Sequence, residues 1–230
     1  VFNIYSSNAK YFGEEGNDTF NIIGSLSGIV IDGGSGTNNV TGEVGSNTTI
    51  NVVGANSGTV SLVKGVEQTI TVNGIDYTVS TQNDRAELVY KLDTSGLITF
   101  SRTSGSIIVK GDINKKHNVT IKEGITFYGG NKGDNIESLD ATIYCGSGNN
   151  TLILKHGDRV YCGSGNNTIK ADSYCWIYGG SGVNNITLNG TLNNVEAGSG
   201  TTNVTIKGHT NNVYGTSGNN TIVSNTGSNN

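Results

Sequence analysis

The amino-acid sequence predicts an all-β chain folded as a parallel β-solenoid of about 17–18 residues per coil, with an inserted antiparallel β-hairpin unit, and three observations carry that expectation. One phrase recurs five times: Ile143-Tyr-Cys-Gly-Ser-Gly-Asn-Asn-Thr-Leu152, Val160-Tyr-Cys-Gly-Ser-Gly-Asn-Asn-Thr-Ile169, Ile177-Tyr-Gly-Gly-Ser-Gly-Val-Asn-Asn-Ile186, Val195-Glu-Ala-Gly-Ser-Gly-Thr-Thr-Asn-Val204 and Val213-Tyr-Gly-Thr-Ser-Gly-Asn-Asn-Thr-Ile222. Its serines stand at 147, 164, 181, 199 and 217, steps of 17 or 18 residues. At such a period a unit too thin to bury its own apolar face stacks on its neighbours. Thirty-five glycines and no proline among 230 residues recur at fixed phase beside Val, Ile and Leu, which distinguishes an architectural bias from the irregular composition of disorder. Hydrophobic residues make up 33%, low for a rounded globule and suited to a thin axial core.

Taken in order, residues 1–65 read as N-terminal coils, with turn phrases at Phe12-Gly-Glu-Glu-Gly-Asn-Asp-Thr-Phe20 and Asp32-Gly-Gly-Ser-Gly-Thr-Asn-Asn-Val40. Residues 66–112 have a different texture. Gln68-Thr-Ile-Thr-Val-Asn-Gly-Ile-Asp-Tyr-Thr-Val79 alternates around an Asn-Gly hairpin signal, and Glu87–Tyr90 with Leu97–Ser101 forms a second hairpin around Asp93-Thr-Ser-Gly96. This is an inserted antiparallel unit or a lateral extension of several coils. Residues 113–230 resume the coils, beginning with Asn118-Val-Thr-Ile121, Thr126-Phe-Tyr-Gly129 and Gly129-Gly-Asn-Lys-Gly-Asp-Asn-Ile136, the last read as a turn with one extra residue.

Side chains alternate between the faces of a strand, so each copy supplies two short strands with inward columns. Leu152–Leu154 aligns with Ile169–Ala171, Ile186–Leu188, Val204–Ile206 and Ile222–Ser224, while Ile143, Val160, Ile177, Val195 and Val213 form the column of the other strand. Small residues at Cys145, Cys162, Gly179, Ala197 and Gly215 then turn the corner. The glycines of the turn are expected to supply positive backbone angles. Asn150, Asn167, Asn184 and Asn220, at equivalent turn positions, are expected to bond coil to coil as a structural ladder.

These turns resemble the glycine-rich nonapeptide repeats of bacterial RTX proteins, whose Gly-Gly-x-Gly-x-Asp-x-apolar-x units form a calcium-binding parallel β-roll. Gly13-Glu-Glu-Gly-Asn-Asp-Thr-Phe20 is the nearest match, and the likeness covers roughly the first 60 and the last 115 residues. The family's metal chemistry rests on the Asp, because calcium takes six to eight oxygen ligands with carboxylates supplying the charge. The corresponding positions here are Asp18, Asn38, Asn150, Asn167, Asn184, Thr202 and Asn220, with Asp134 near-aligned. The resemblance implies at most a residual calcium site near Glu14, Glu15 and Asp18, or at Asp134. With neutral amides elsewhere, no obligatory cofactor is expected.

Three further groups of residues invite a chemical reading. Cys145 and Cys162 fall at equivalent places on adjacent coils, a spacing compatible with a disulfide and equally with small buried corner residues; Cys175, beside Trp176, has no equivalent. Tyr128, Tyr144, Tyr161, Tyr178 and Tyr214 form one outward row interrupted by Glu196. Mutual stacking explains such a row, and a ligand or partner face for glycan or protein is the alternative. Lys155, His156, Asp158 and Arg159, flanked by Asp140 and Asp172 on neighbouring coils, are the best acid–base cluster, read as a solvated charged loop, so that no catalytic residue is assigned. His117 and His209 are expected at the surface. A row holding Thr187 and Thr205 also contains Ile153, Lys170 and Val223, too irregular for an ice-binding face.

A net charge of −4 offers no basic stripe for phosphates, and no apolar run approaches the roughly 20 residues that span a bilayer. Sequons such as those at Asn17, Asn118, Asn166 and Asn203 are dense, and many fall at tight turns, where a glycan on every coil would crowd its neighbours, favouring a bacterial source. The chain begins at Val1, contains no Met and ends in a polar tail from Ser224, and is read as a segment of something longer. The expected function is a non-enzymatic structural or adhesive repeat module of a bacterial extracellular or cell-surface protein such as an adhesin or fibre. Exposed strand edges would favour end-to-end association with identical copies or with other segments of the parent chain. The alternatives are a carbohydrate-binding or polysaccharide-active β-helix domain and a calcium-dependent RTX β-roll.

Overall fold

The computed structural model describes residues 1–36, 38–45, 48–52 and 56–225; Thr37 of the second turn phrase and residues 226–230 of the polar tail lie outside them. All regular elements among the described residues are β-strands, and the chain divides into two compact units, Val1–Asp112 and Ile113–Asn230.

The second unit is the simpler. One sheet orders Asn118–Ile121, Asn135–Ser138, Thr151–His156, Asn167–Ser173, Val183–Leu188, Thr201–Ile206 and Asn219–Ser224; the other orders Ile125–Tyr128, Thr142–Tyr144, Arg159–Tyr161, Trp176–Tyr178, Asn194–Glu196 and Asn212–Tyr214. The chain visits the sheets alternately and every pairing within them is parallel. Register places Phe127, Ile143, Val160, Ile177, Val195 and Val213 in one column. Leu152, Ile169, Ile186, Val204 and Ile222 make a second, and Leu154, Ala171, Leu188, Ile206 and Ser224 a third. These columns are the core up to the last coil: Ile143, Val160, Leu152, Leu154 and Val195 are fully buried, whereas Val213 is half-buried and Ile222 and Ser224 are exposed. Each coil removes its short aliphatic side chains from water only by lying on the next, which is the hydrophobic term that holds the stack.

Two details differ from the sequence expectation. The turn at Gly129–Ile136 has the same length as its successors, since Tyr128 pairs with Tyr144 and Asn135 with Thr151. The shortening lies at the opposite corner, where Ser138 and Thr142 align with Leu154 and Arg159. Some turn glycines supply the expected positive φ, among them Gly34, Gly36, Gly133 and Gly146, but others serve a different purpose. Gly163, Gly165, Gly180, Gly182, Gly200 and Gly218 are absent from the positive-φ positions; instead a Cβ at Gly163 would collide with the Gly146 carbonyl, and one at Gly165 with that of Gly148. Turn backbones rest directly on turn backbones, and glycine permits that approach.

In the first unit, one sheet runs Phe2–Ile4, Thr19–Leu26, Asn39–Val44, Asn56–Val63, Arg85–Leu92, Ile98–Ser104, and the other Lys10–Phe12, Val30–Asp32, Thr49–Val52, Gln68–Val72, Ile75–Thr81, Ile107–Gly111. The early coils are parallel. At Asn73-Gly74, where φ is +48° and +75° as a type I′ turn requires, the chain doubles back and Ile75–Thr81 runs antiparallel to Gln68–Val72. It crosses to the other sheet, where Arg85–Leu92 is antiparallel to Asn56–Val63. A second turn follows at Asp93, whose Oδ1 accepts from the Ser95 and Leu97 amides at 2.9 and 3.0 Å. Ile98–Ser104 and Ile107–Gly111 then restore the original direction. The hairpin strands are therefore full members of both sheets, and together they lay down one coil in reverse. Like cannot sit on like there, and bulky rings fill the core: Tyr77 lies 5.2 Å from Phe100, and Tyr90 is paired with Gly58, where a Cβ would come within 2.5 Å of the phenol oxygen.

Candidate functional site

Polar side chains recur once per coil in the second unit, and the two corners order them as interior ladders. At the first corner stand His117, Asp134, Asn150, Asn167, Asn184 and Thr202, all buried. Asn150 Oδ1 accepts from the Asp134 amide at 2.8 Å, and its Nδ2 donates to Gly148 O at 2.7 Å and to Asn167 Oδ1 at 2.8 Å. Asn167 repeats the pattern, donating to Gly165 O and to Asn184 Oδ1, both at 2.9 Å. One N–H closes the residue's own turn and the other reaches the next coil, so a buried amide is satisfied at the cost of no free donor. The rule fails at one step: Asn184 Nδ2, Thr202 Oγ1 and Asn220 Oδ1 are buried without a hydrogen-bond partner, because the Thr side chain is too short to span the gap. In the first unit Asn38 Oδ1 accepts from the Asp18 amide at 2.9 Å in the same way.

The opposite corner carries a second ladder that the sequence reading missed: Asp158, Cys175, Asn193 and Asn211, again fully buried. Asn193 Oδ1 accepts from the Cys175 amide at 2.9 Å, and Asn193 Nδ2 donates to Asp172 O at 2.8 Å and to Asn211 Oδ1 at 2.9 Å. The signal that could have found it is the doublet Asn193-Asn194 repeated 18 residues later as Asn211-Asn212. Asp158 takes the same place with a carboxyl, accepting from the Ala141 and Lys155 amides at 3.0 and 3.2 Å. Burial pushes its pKa up to about 6.

This placement breaks up the acid–base cluster. Asp158 faces inward, while Lys155, His156, Arg159, Asp140 and Asp172 are exposed. His156 Nδ1 lies 3.1 Å from Asp140 Oδ1 with both side chains about half in solvent. His209 is exposed, but His117, expected at the surface, is fully buried, with Nδ1 2.8 Å from Asp134 Oδ1 and its ring edge-on to Phe127 at 5.9 Å. It is drawn in because it holds the first-corner ladder position one coil before Asp134.

The residues read as a residual calcium site are divided. Asp134 is in full register with Asn150, and its carboxylate receives the His117 amide at 2.9 Å, His117 Nδ1, and the Gly130 amide at 3.0 Å; protein donors take the lone pairs a cation would need. In the first unit Glu14 and Glu15 are exposed, and Asp18 is turned toward Gly13. Among the described residues no group of three or more His, Cys, Asp or Glu side chains is placed to hold a metal ion.

Cys145, Cys162 and Cys175 are free, buried thiols. A hydrogen bond with Cys162 and burial hold Cys145 well above the ordinary thiol range, and burial pushes Cys175 up to about 12, so neither of these two is a ready nucleophile.

On the outer face, Tyr128, Tyr144, Tyr161 and Tyr178 stack with centroids 4.7, 4.7 and 4.8 Å apart and planes within 7°. Tyr214 stands apart beyond Glu196 and is exposed. Each interior ring presents both faces to other rings, leaving its edge and hydroxyl to solvent. A sugar ring binds an aromatic through the face, so the row offers that mode only at its ends. Outer amides are paired as well: Asn203 donates to Asn185 at 2.9 Å and Asn212 to Asn194 at 3.0 Å. No family model, curated protein or solved structure matches the chain.

Proposed function

We propose that the chain is a non-enzymatic structural or adhesive repeat module of a bacterial extracellular or cell-surface protein, with other segments of its parent chain or identical copies as partners. The observation that carries this reading is the use of the recurrent polar and aromatic side chains on one another: Asn150 to Asn167 to Asn184 inside, and Tyr128 through Tyr178 outside. A row that binds its own copies makes the coil stack stiff and continuous. The neutral amides perform the coil-to-coil bridging that calcium performs in RTX-like rolls, so the module holds its form without a metal.

The test is thermal unfolding of the full chain in calcium and in chelator, followed by glycan binding of a variant with alanine at Tyr144, Tyr161 and Tyr178. The expected results are melting temperatures within about 2 °C of each other, and a variant whose melting temperature falls, since each stacked pair contributes roughly 0.5–1.5 kcal/mol. A calcium-dependent rise of roughly 10 °C or more would return the chain to a metal-dependent roll. Glycan binding by the parent chain that disappears in the variant without loss of stability would establish the carbohydrate-binding alternative.

A further inference from the structure

The four stacked phenols of the second unit have a reactivity that a structural role leaves unused, and it stands on ring geometry whichever role the module has. Tyr128, Tyr144, Tyr161 and Tyr178 are register partners on successive strands. Their centroids are 4.7 to 4.8 Å apart and their planes differ by 4 to 7°. Rings related by so nearly pure a translation hold corresponding carbons at about the same separation, so the carbon ortho to each hydroxyl is beside its counterpart one coil away. Tyr144, Tyr161 and Tyr178 are half-buried and Tyr128 is exposed, which fixes the ring stems in the row while an oxidant reaches the hydroxyl edge.

The geometry points to a modification site: under a one-electron oxidant of the peroxidase and hydrogen peroxide class, neighbouring tyrosines of this row couple to dityrosine and fasten successive coils with a carbon–carbon bond. Each phenol gives up one electron and one proton and becomes a phenoxyl radical, with its unpaired spin shared onto the ortho carbons. Two such radicals on adjacent coils join ortho carbon to ortho carbon. Each ring regains aromaticity when the hydrogen on that carbon departs as a proton and the oxygen takes one up. One hydrogen peroxide accepts the two electrons and two protons and leaves as two waters.

The remaining tyrosines lack this combination. Tyr77 and Tyr90 are 2% and 1% exposed and out of reach of an oxidant. Tyr214 is exposed, but its register neighbour is Glu196; Tyr174 is exposed and lies against His156; Tyr11 has Ile31 as its register neighbour, and Tyr5 is exposed just beyond a strand whose last register pair is Ile4 with Ile22.

The experiment treats the full 230-residue chain, dilute, with peroxidase and limiting hydrogen peroxide. Products are read by dityrosine fluorescence, denaturing electrophoresis and cross-link mass spectrometry. The expected product is dityrosine within single chains, in peptides joining Tyr128 to Tyr144, Tyr144 to Tyr161 or Tyr161 to Tyr178. The double variant Tyr144→Phe/Tyr161→Phe keeps the aromatic stack but leaves no two phenols adjacent, so single-chain dityrosine falls to background. Tyr5→Phe/Tyr214→Phe leaves it unchanged. Circular dichroism establishes that both variants fold. Should the double variant misfold, Tyr144→Phe alone removes the first two linkages and spares the third. Dityrosine confined to dimers joined through Tyr5, Tyr174 or Tyr214 overturns the proposal, as does a single-chain yield that survives loss of both central phenols.

Discussion

Asp158 occupies the interior place that Asn193 and Asn211 fill on later coils, and it does so with an ionisable group. Its folded pKa is raised from 3.8 to about 6, first by burial, so folding favours the neutral acid. The stability linked to this group is therefore complete below its unfolded pKa and is lost as pH rises through about 6. At pH 7 the carboxylate is ionised in the core, held by two amides, with Asp140 adding repulsion. A displacement of roughly two units sets a ceiling near 3 kcal/mol on the loss. Urea unfolding from pH 4.5 to 8 should show the parent chain losing up to about 2 kcal/mol relative to Asp158→Asn over that range, the rest of the ceiling lying below pH 4.5. Parallel pH profiles for the two proteins would remove Asp158 as the titrating group. None of this could be read in the sequence, where Asp158 sits among Lys155, His156 and Arg159 and looks like part of a charged loop. Only its position one residue before a strand, in register with Cys175 and Asn193, turns it inward.

The first-corner ladder shows what each element contributes and where it is incomplete. Asn167 bridges both neighbouring coils, and removing it strands the Asn150 side-chain amide and the Asn184 oxygen in the interior. Asn167→Ala should cost roughly 2–4 kcal/mol, the penalty of leaving buried partners unmet. The reverse change is available one coil beyond, where Asn184 Nδ2 and Thr202 Oγ1 face the core unpaired. Thr202→Asn supplies the missing reach and should stabilise the chain by roughly 1 kcal/mol; a loss of stability in chemical denaturation would mean that the Thr methyl packing outweighs the amide bond. The Asn positions were legible because one residue type repeats in one phrase. The second ladder was not, because Asp158, Cys175, Asn193 and Asn211 share geometry and not chemistry. The glycines were legible as necessary, but only in part for the expected reason. Their phase suggested positive φ, which Gly34, Gly36, Gly133 and Gly146 adopt, whereas Gly163, Gly165, Gly180, Gly182, Gly200 and Gly218 are excluded from bearing a side chain by the carbonyl of the turn beneath.

At the scale of the whole molecule, two ways of ordering a thin core appear in one chain. The first unit reverses one coil, a consequence foreshadowed by the Asn73-Gly74 and Asp93–Gly96 turns. That the returning strands would join both sheets was not foreshadowed, because a hairpin signal fixes local direction and says nothing of the partner strand. The second unit keeps every strand parallel, and its repeated columns make each coil answerable chiefly to the coils on either side. That nearest-neighbour character yields a quantitative expectation. Ile177 and Val195 are register partners, whereas Ile143 and Val195 share the column with Val160 and Ile177 between them, about 14 Å apart at the usual strand spacing. Ile177→Ala should cost about 3 kcal/mol. In a double-mutant cycle with Val195→Ala it should show a coupling of at least about 0.5 kcal/mol, because the two truncations open one shared void. The cycle pairing Ile143→Ala with Val195→Ala should be additive to within about 0.3 kcal/mol. Trp176, the chain's only tryptophan, adjoins Ile177 and reports unfolding of this unit by fluorescence. Equal couplings in the two cycles would mean that strain travels along the column as through a single packed core, and a stack stabilised coil by coil would then be the wrong physical description of this unit.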